Sequence, residues 1–237
     1  MSVKLATLNN KLHGKVKIKA FEHYDHVKSE QALPILAHEY SEVAAEMPIV
    51  FVKGANSEDF ESVALLGFKP GENFFYQQHR WLGNYIPAYI HHYPFALMPS
   101  EEDDSKLQVI IYENSDRINE TEGEAIFDDQ GKETDFLVNC KNMMGDYYEK
   151  SLVTRGFIKT LNDMGLLSQQ SLNLDFNGEK ISIKGIYLVD DKKLNELSDK
   201  NFLELRKKHY LAPLYQHMGS LSRLNNLARL KSQMSVD

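Results

Sequence analysis

The side chains best equipped for chemistry crowd into one stretch, Gln77-Gln-His-Arg-Trp-Leu-Gly-Asn-Tyr-Ile-Pro-Ala-Tyr-Ile-His-His-Tyr-Pro-Phe95. It holds three of the nine histidines, the single tryptophan and three of the twelve tyrosines. Such a mixture can line a binding pocket, with aromatic rings supplying contact area and His or Arg supplying directional donors. Arg80, Trp81, Tyr85, Tyr89 and His92 are the residues chosen for that role. Arg80 can grip an anion or carboxylate through paired hydrogen bonds, while Trp81 and a tyrosine can sandwich an apolar or sugar-like face. The same residues also suit a buried strand-turn-helix whose Tyr and His tips reach backbone acceptors, since aromatics commonly build cores.

A second constellation is His23-Tyr24-Asp25. Its spacing is the His-x-Asp half of a two-histidine, one-carboxylate iron site, which one later histidine would complete. Three ligands on one face would leave open positions for oxygen and a co-substrate. The spacing arises often by chance, however, and this stretch precedes the main predicted strands instead of lying inside a barrel. The reading adopted is that no metal and no cofactor is bound and that no residue is catalytic.

The other histidines do not alter that reading. His91 and His92 are adjacent, so a strand points them to opposite faces and a helix sets them about 100° apart. His209 and His217 have no carboxylate at a useful spacing. No His-Glu-x-x-His, phosphate-binding loop, dinucleotide glycine fingerprint or nucleophile elbow occurs. Cys140 falls on the apolar face of a predicted helix, which favours an inert buried thiol over a nucleophile.

Composition narrows the function classes. The chain has 237 residues, with 27 Lys+Arg against 34 Asp+Glu and a formal charge of −7. An acidic balance offers no general attraction for a phosphate backbone, so no nucleic-acid partner is expected, and the basic residues Arg206, Arg223, Arg229 and Lys231 read as a solvated helical face. A lone cysteine rules out an intramolecular disulfide and a sulfur-ligated zinc cluster. No run approaches the roughly 20 apolar residues of a membrane-spanning helix, and the first residues lack the apolar core of a secretory signal. The cytoplasm is the expected location, with signal-independent export to the cell surface as the alternative.

The elements that must carry these residues are of mixed type. Pro48–Val52, Phe60–Phe68, Asn73–Trp81, Leu107–Glu113 and Glu124–Asp128 read as strands. Pro34 to Met47 reads as a helix entered at a proline, and Phe136 to Met164 as helical, with Gly145 and Gly156 suggesting two helices that meet and Gly165 a stop. Asn177-Gly178 between Leu172–Phe176 and Lys180–Val189 predicts a type I′ hairpin. Ser198 caps a helix to about Lys208, and an amphipathic helix follows from Leu221. The expected fold is therefore α+β, a mainly antiparallel sheet with several flanking helices in one domain over residues 1–237. Its β-rich part spans about 48–128, its helical part about 136–165, its hairpin 172–189 and its C-terminal helical part about 190–231.

Short pieces in a fixed order resemble one family. They are Met47-Pro48-Ile-Val-Phe51, Ala64-Leu-Leu-Gly67, Asn73-Phe74-Phe75, Arg80-Trp81, Tyr85-Ile-Pro-Ala88, Tyr93-Pro-Phe95 and Gly123-Glu-Ala-Ile-Phe-Asp128. Leu172–Phe176, Lys184-Gly-Ile186 and Val189-Asp190 continue the series. Over nearly its whole length the chain resembles the SapC family of bacterial proteins. A basic residue is expected before Tyr-Pro-Phe, where this chain has His91-His92, so that any charge-based role there would depend on pH. The resemblance implies a link to bacterial surface layers by name, and to outer-membrane uptake receptors, flavin-dependent halogenase-like proteins and cupin-like oxygenases by genetic neighbourhood. It supplies no catalytic residues. The function expected is a non-catalytic accessory or binding protein of envelope or nutrient-uptake physiology, taking a small molecule or a protein partner at segment 79–95. The alternatives are an iron oxygenase-type enzyme built on His23 and Asp25, or a structural surface-layer component.

Overall fold

The computed structural model describes residues 4–54, 59–100, 106–176 and 179–234. The architecture is α+β: among the described residues seven α-helices accompany sheets in which every strand pair is antiparallel. The residues group into two compact units, one of 1–23 with 88–149 and the other of 24–87 with 150–237.

The first unit carries two three-stranded sheets. One runs Leu5–Thr7, Leu107–Tyr112, Phe95–Pro99, and the other Ile118–Asn119, Lys17–Ile18, Glu124–Ala125. Ile18, Phe95, Ile111, Ile126, Phe127, Leu137 and Met144 pack into its core, with Cys140 partly buried against them. Removing such side chains from water is the main favourable term that holds a unit of this kind together.

The second unit is built on a five-stranded sheet in the order Leu167–Phe176, Glu179–Val189, Ile49–Lys53, Phe60–Leu65, Ala32–Pro34. Ile49, Val50 and Phe51 are fully buried, as expected of a central strand apolar on both faces. Phe157 meets the rings of Tyr40, Phe51 and Tyr210. His217, on helix Leu211–Ser220, is also fully buried. Its Nδ1 lies 2.9 Å from the Ile49 carbonyl, and its Nε2 accepts the Val189 N–H at 3.2 Å. Burial pushes its pKa down to about 4, so the ring is neutral and carries its proton on Nδ1.

Several expectations are corrected. Pro34 does not open a helix but lies in the edge strand Ala32–Pro34, paired with Val63, and helix Tyr40–Val43 is a single turn. An edge strand tolerates a residue without an N–H, so proline fits there as well as in a first helical turn. Residues Asp135–Asp163 form one helix, not two. The helix runs through Gly145 and Gly156 at a cost of about 1 kcal/mol each, which a helix this long absorbs; a Cβ on Gly145 would meet nothing within 4 Å and one on Gly156 only the Tyr210 hydroxyl at 3.3 Å, so no close approach calls for glycine at either place. Gly165 does act as the stop, at φ +69°. Asn73–Trp81 is not one strand but a tight hairpin of Tyr76–Gln77 with Arg80–Trp81. Asn177-Gly178 lies outside the described residues; the flanking strands pair antiparallel, with Phe176 opposite Glu179.

Candidate functional site

The short hairpin organises the chemistry of the second unit. Gln77 pairs with Arg80, so Gln78 and His79 alone make the turn, at φ +46° and +63°. Positive φ at both central residues is the type I′ signature, normally met with Asn-Gly. For side chains larger than glycine that backbone costs roughly 1–2 kcal/mol per residue. Buried Phe75 anchors the base of the hairpin and stacks on Trp81 at 5.8 Å between ring centroids.

The turn directs His79 to Asp25, its Nδ1 lying 2.9 Å from Oδ1. The Tyr76 hydroxyl donates to the same oxygen at 2.5 Å and accepts the Tyr24 N–H at 3.2 Å. Buried Asn73 fastens the two segments: its Nδ2 donates to the Val27 carbonyl at 2.8 Å, and its Oδ1 accepts the Phe75 N–H at 3.0 Å. The His79 and Asp25 side chains are 72% and 27% exposed. A contact that exposed is worth about 0–1 kcal/mol by itself.

The five residues expected to recognise a ligand are distributed as follows. Arg80 is exposed, and among the described residues its guanidinium enters no hydrogen bond or ion pair. Trp81 is half-buried and donates Nε1–H to the Tyr85 carbonyl at 2.8 Å. Tyr85 donates its hydroxyl to Oε1 of buried Glu39 at 2.8 Å, while Glu39 Oε2 accepts the Leu36 N–H at 2.9 Å. Burial first, and then that carboxylate, push the Tyr85 phenol well above its ordinary pKa. Glu46 accepts the Asn84 N–H at 3.0 and 2.9 Å, and a Cβ on Gly83 would stand 2.9 Å from the indole nitrogen. The polar tips of Trp81 and Tyr85 are thus spent on fixing the loop.

Tyr89 and His92 belong to the first unit, on the 3-10 turn Ala88–His92. Tyr89 is exposed, and His92 stands edge-on to Tyr147 at 4.5 Å. Burial, and then neighbouring His91, lower His92 to about 4. It is therefore neutral near pH 7. A concavity of about 420 Å³ in the same unit is lined by Thr7, Leu97, Val109, Phe127, Glu133 and Lys141 and contains none of the five.

A family model for SapC matches residues 8–227. The chain belongs to the SapC family. No curated protein and no solved structure matches it. Within this SapC chain Asp25 and His79 of the second unit meet at 2.9 Å, while His23 belongs to the first unit. Cys140 is raised from its ordinary pKa by burial, so it remains a thiol. Glu39, Asn73 and Tyr76 were not foreseen as parts of a site. Glu39 alone left a trace, standing three residues after Leu36 where a side chain can cap a helical turn.

Proposed function

We propose that this SapC-family chain is a non-catalytic accessory or binding protein of bacterial envelope or nutrient-uptake physiology. It takes an anionic or carboxylate-bearing small molecule or protein surface through segment 79–95, and Arg80 is the principal contact. The observation that carries this reading is the exposed Arg80 guanidinium on a hairpin whose neighbours are fixed. A planar cation held on a rigid base loses little freedom on binding, and it can meet a carboxylate with two hydrogen bonds.

Arg80→Ala and Trp81→Ala, compared by thermal melts and by complementation in cells, test the reading. Arg80→Ala should abolish function and leave the melting temperature within about 2 °C, as expected of a surface change. Trp81→Ala should lower both, because the indole also stacks on Phe75 and closes the loop. A melting loss in Arg80→Ala proportionate to its loss of function would overturn the proposal.

A further inference from the structure

We infer that the concavity of the first unit binds an uncharged amphipathic small molecule, an alkyl or aryl body that carries an amide or hydroxyl head. The inference is independent of the Arg80 reading: every residue it uses lies in the first unit and Arg80 in the second, so either can fail alone.

The body is read from the sheet of Leu5–Thr7, Phe95–Pro99 and Leu107–Tyr112. Its apolar face is arranged in rows that cross the three strands. In one row Ile111 pairs with Phe95 on one side and Ala6 on the other, and Phe95 and Ile111 are buried in the core. In the next row Leu97 pairs with Val109, and the Leu8 N–H donates to the Val109 carbonyl at 2.9 Å. Two residues along each chain bring the side chains back to the same face, so the rows are continuous. Yet Leu8, Leu97 and Val109 are only partly buried, and with Phe127 they line the concavity of about 420 Å³. That volume lies within the roughly 300–1,000 Å³ of small-molecule sites.

Helix Asp135–Asp163 shows why the second row is left open. Leu137 and Met144 join Phe95 and Ile111 in the core. Lys141 and Gly145, four residues apart and so on one helix face, line the concavity. A Cβ on Gly145 would meet nothing within 4 Å. Glycine weakens a helix and no close approach calls for it here, so what its missing side chain leaves is space beside the Leu8, Val109 and Leu97 row.

The head is read from the charges. Lys141 pairs with Glu133, their side chains 35% and 40% exposed, so together they add no net charge to the concavity. A lone carboxylate or ammonium on the ligand would compete with that pair and leave one of its members unmatched. An amide or hydroxyl leaves the pair intact, because it can accept from another hydrogen of the Lys141 ammonium and donate to a free lone pair of Glu133.

The test uses N-phenyl-1-naphthylamine, an uncharged apolar fluorophore, and three eight-carbon competitors that differ in the head: octanamide, octanoate and octylamine. One fluorophore should bind per chain, with enhanced emission. Octanamide should displace it roughly threefold more effectively than either charged competitor, a ratio set by the small worth of an exposed ion pair. Gly145→Phe, which puts a ring into the concavity, should weaken the fluorophore roughly tenfold while the protein melts no lower, since phenylalanine suits a helix better than glycine. Gly145→Ala gives the helix the same benefit with little bulk and should keep the affinity within about twofold. Should Gly145→Phe fail to fold, methyl spectra of the unaltered protein decide: octanamide should shift Leu8, Leu97 and Val109 and spare Leu205 and Leu227 in the core of the second unit. Absence of saturable binding, undiminished binding in folded Gly145→Phe, equal displacement by octanoate or octylamine, or methyl shifts confined to other residues would overturn the inference.

Discussion

Two hairpins of the second unit solve one backbone problem with opposite residues. Strands Leu167–Phe176 and Glu179–Val189 form a long ladder, with a register shift between Gln170 and Leu172 and a glycine, Gly185, at φ +76° where the chain needs it. The hairpin around Gln78-His79 has only two residue pairs and places two large side chains at positive φ. In the long hairpin the residue types agree with the backbone, so pairing and burial account for the geometry. In the short one they disagree, and what holds it is a set of side-chain bonds through Asp25, Tyr76 and Asn73. A turn that keeps unsuitable residues points to what those residues touch.

The largest effect should fall on the long hairpin through His217, which accepts the N–H of its last residue, Val189. An unfolded histidine takes up a proton near pH 6.5, whereas folded His217 does so only near 4. Between those values the unfolded chain binds a proton that the folded chain refuses, so stability is full above about pH 6.5 and falls as the pH drops towards 4. The loss from His217 alone should be roughly 3 kcal/mol, read from denaturant unfolding across that window, and half-buried His92 acts in the same direction. A His217 resonance that titrates near 6.5 in the folded protein would break this account.

Next in size is Asn73→Ala. It removes the bond that holds the Val27 carbonyl and the one that holds the Phe75 N–H, at a cost of roughly 2–3 kcal/mol by chemical denaturation. The loss should be accompanied by a change in the Tyr76 and His79 environments that leaves the long ladder intact by amide exchange. The smallest effects sharpen the comparison because they differ in sign. Gly185→Ala should cost about 1 kcal/mol, since its Cβ meets open space and only the backbone objects, whereas His79→Gly should leave the protein unchanged or up to about 1 kcal/mol more stable. Equal losses in both variants would remove the distinction between the hairpins.

These contrasts also show which parts of the molecule could be read from residue types. Ile49–Lys53, Leu107–Tyr112 and the long hairpin were legible because β-branched and aromatic runs ended at turn residues. Ser198 was legible as a cap and does accept the Asn201 N–H. Helix Leu211–Ser220 was not, because Pro213 and Gly219 punctuate it; the proline falls in the first turn, where the missing N–H is harmless. At the short hairpin, the contact of His79 with Asp25 was hidden, since Gln78-His79 carries none of the glycine or asparagine that announces a tight turn. Glu39 and Asn73 act through contacts that only the folded chain creates.

The position of strand Ile49–Lys53 has a consequence for how the protein is made. It sits at the centre of the second unit's sheet, with Phe60–Leu65 on one edge and Glu179–Val189 on the other. The first neighbour follows at once on the ribosome, but the second is synthesised more than a hundred residues later, where Tyr187 pairs with Phe51. At 5–20 residues per second the apolar strand waits on the order of ten seconds with one edge open. Any holdase that covers a naked strand edge should therefore engage nascent chains stopped before about residue 180 and release those that extend beyond helix Leu211–Ser220, whose His217 closes the Ile49 end of the sheet.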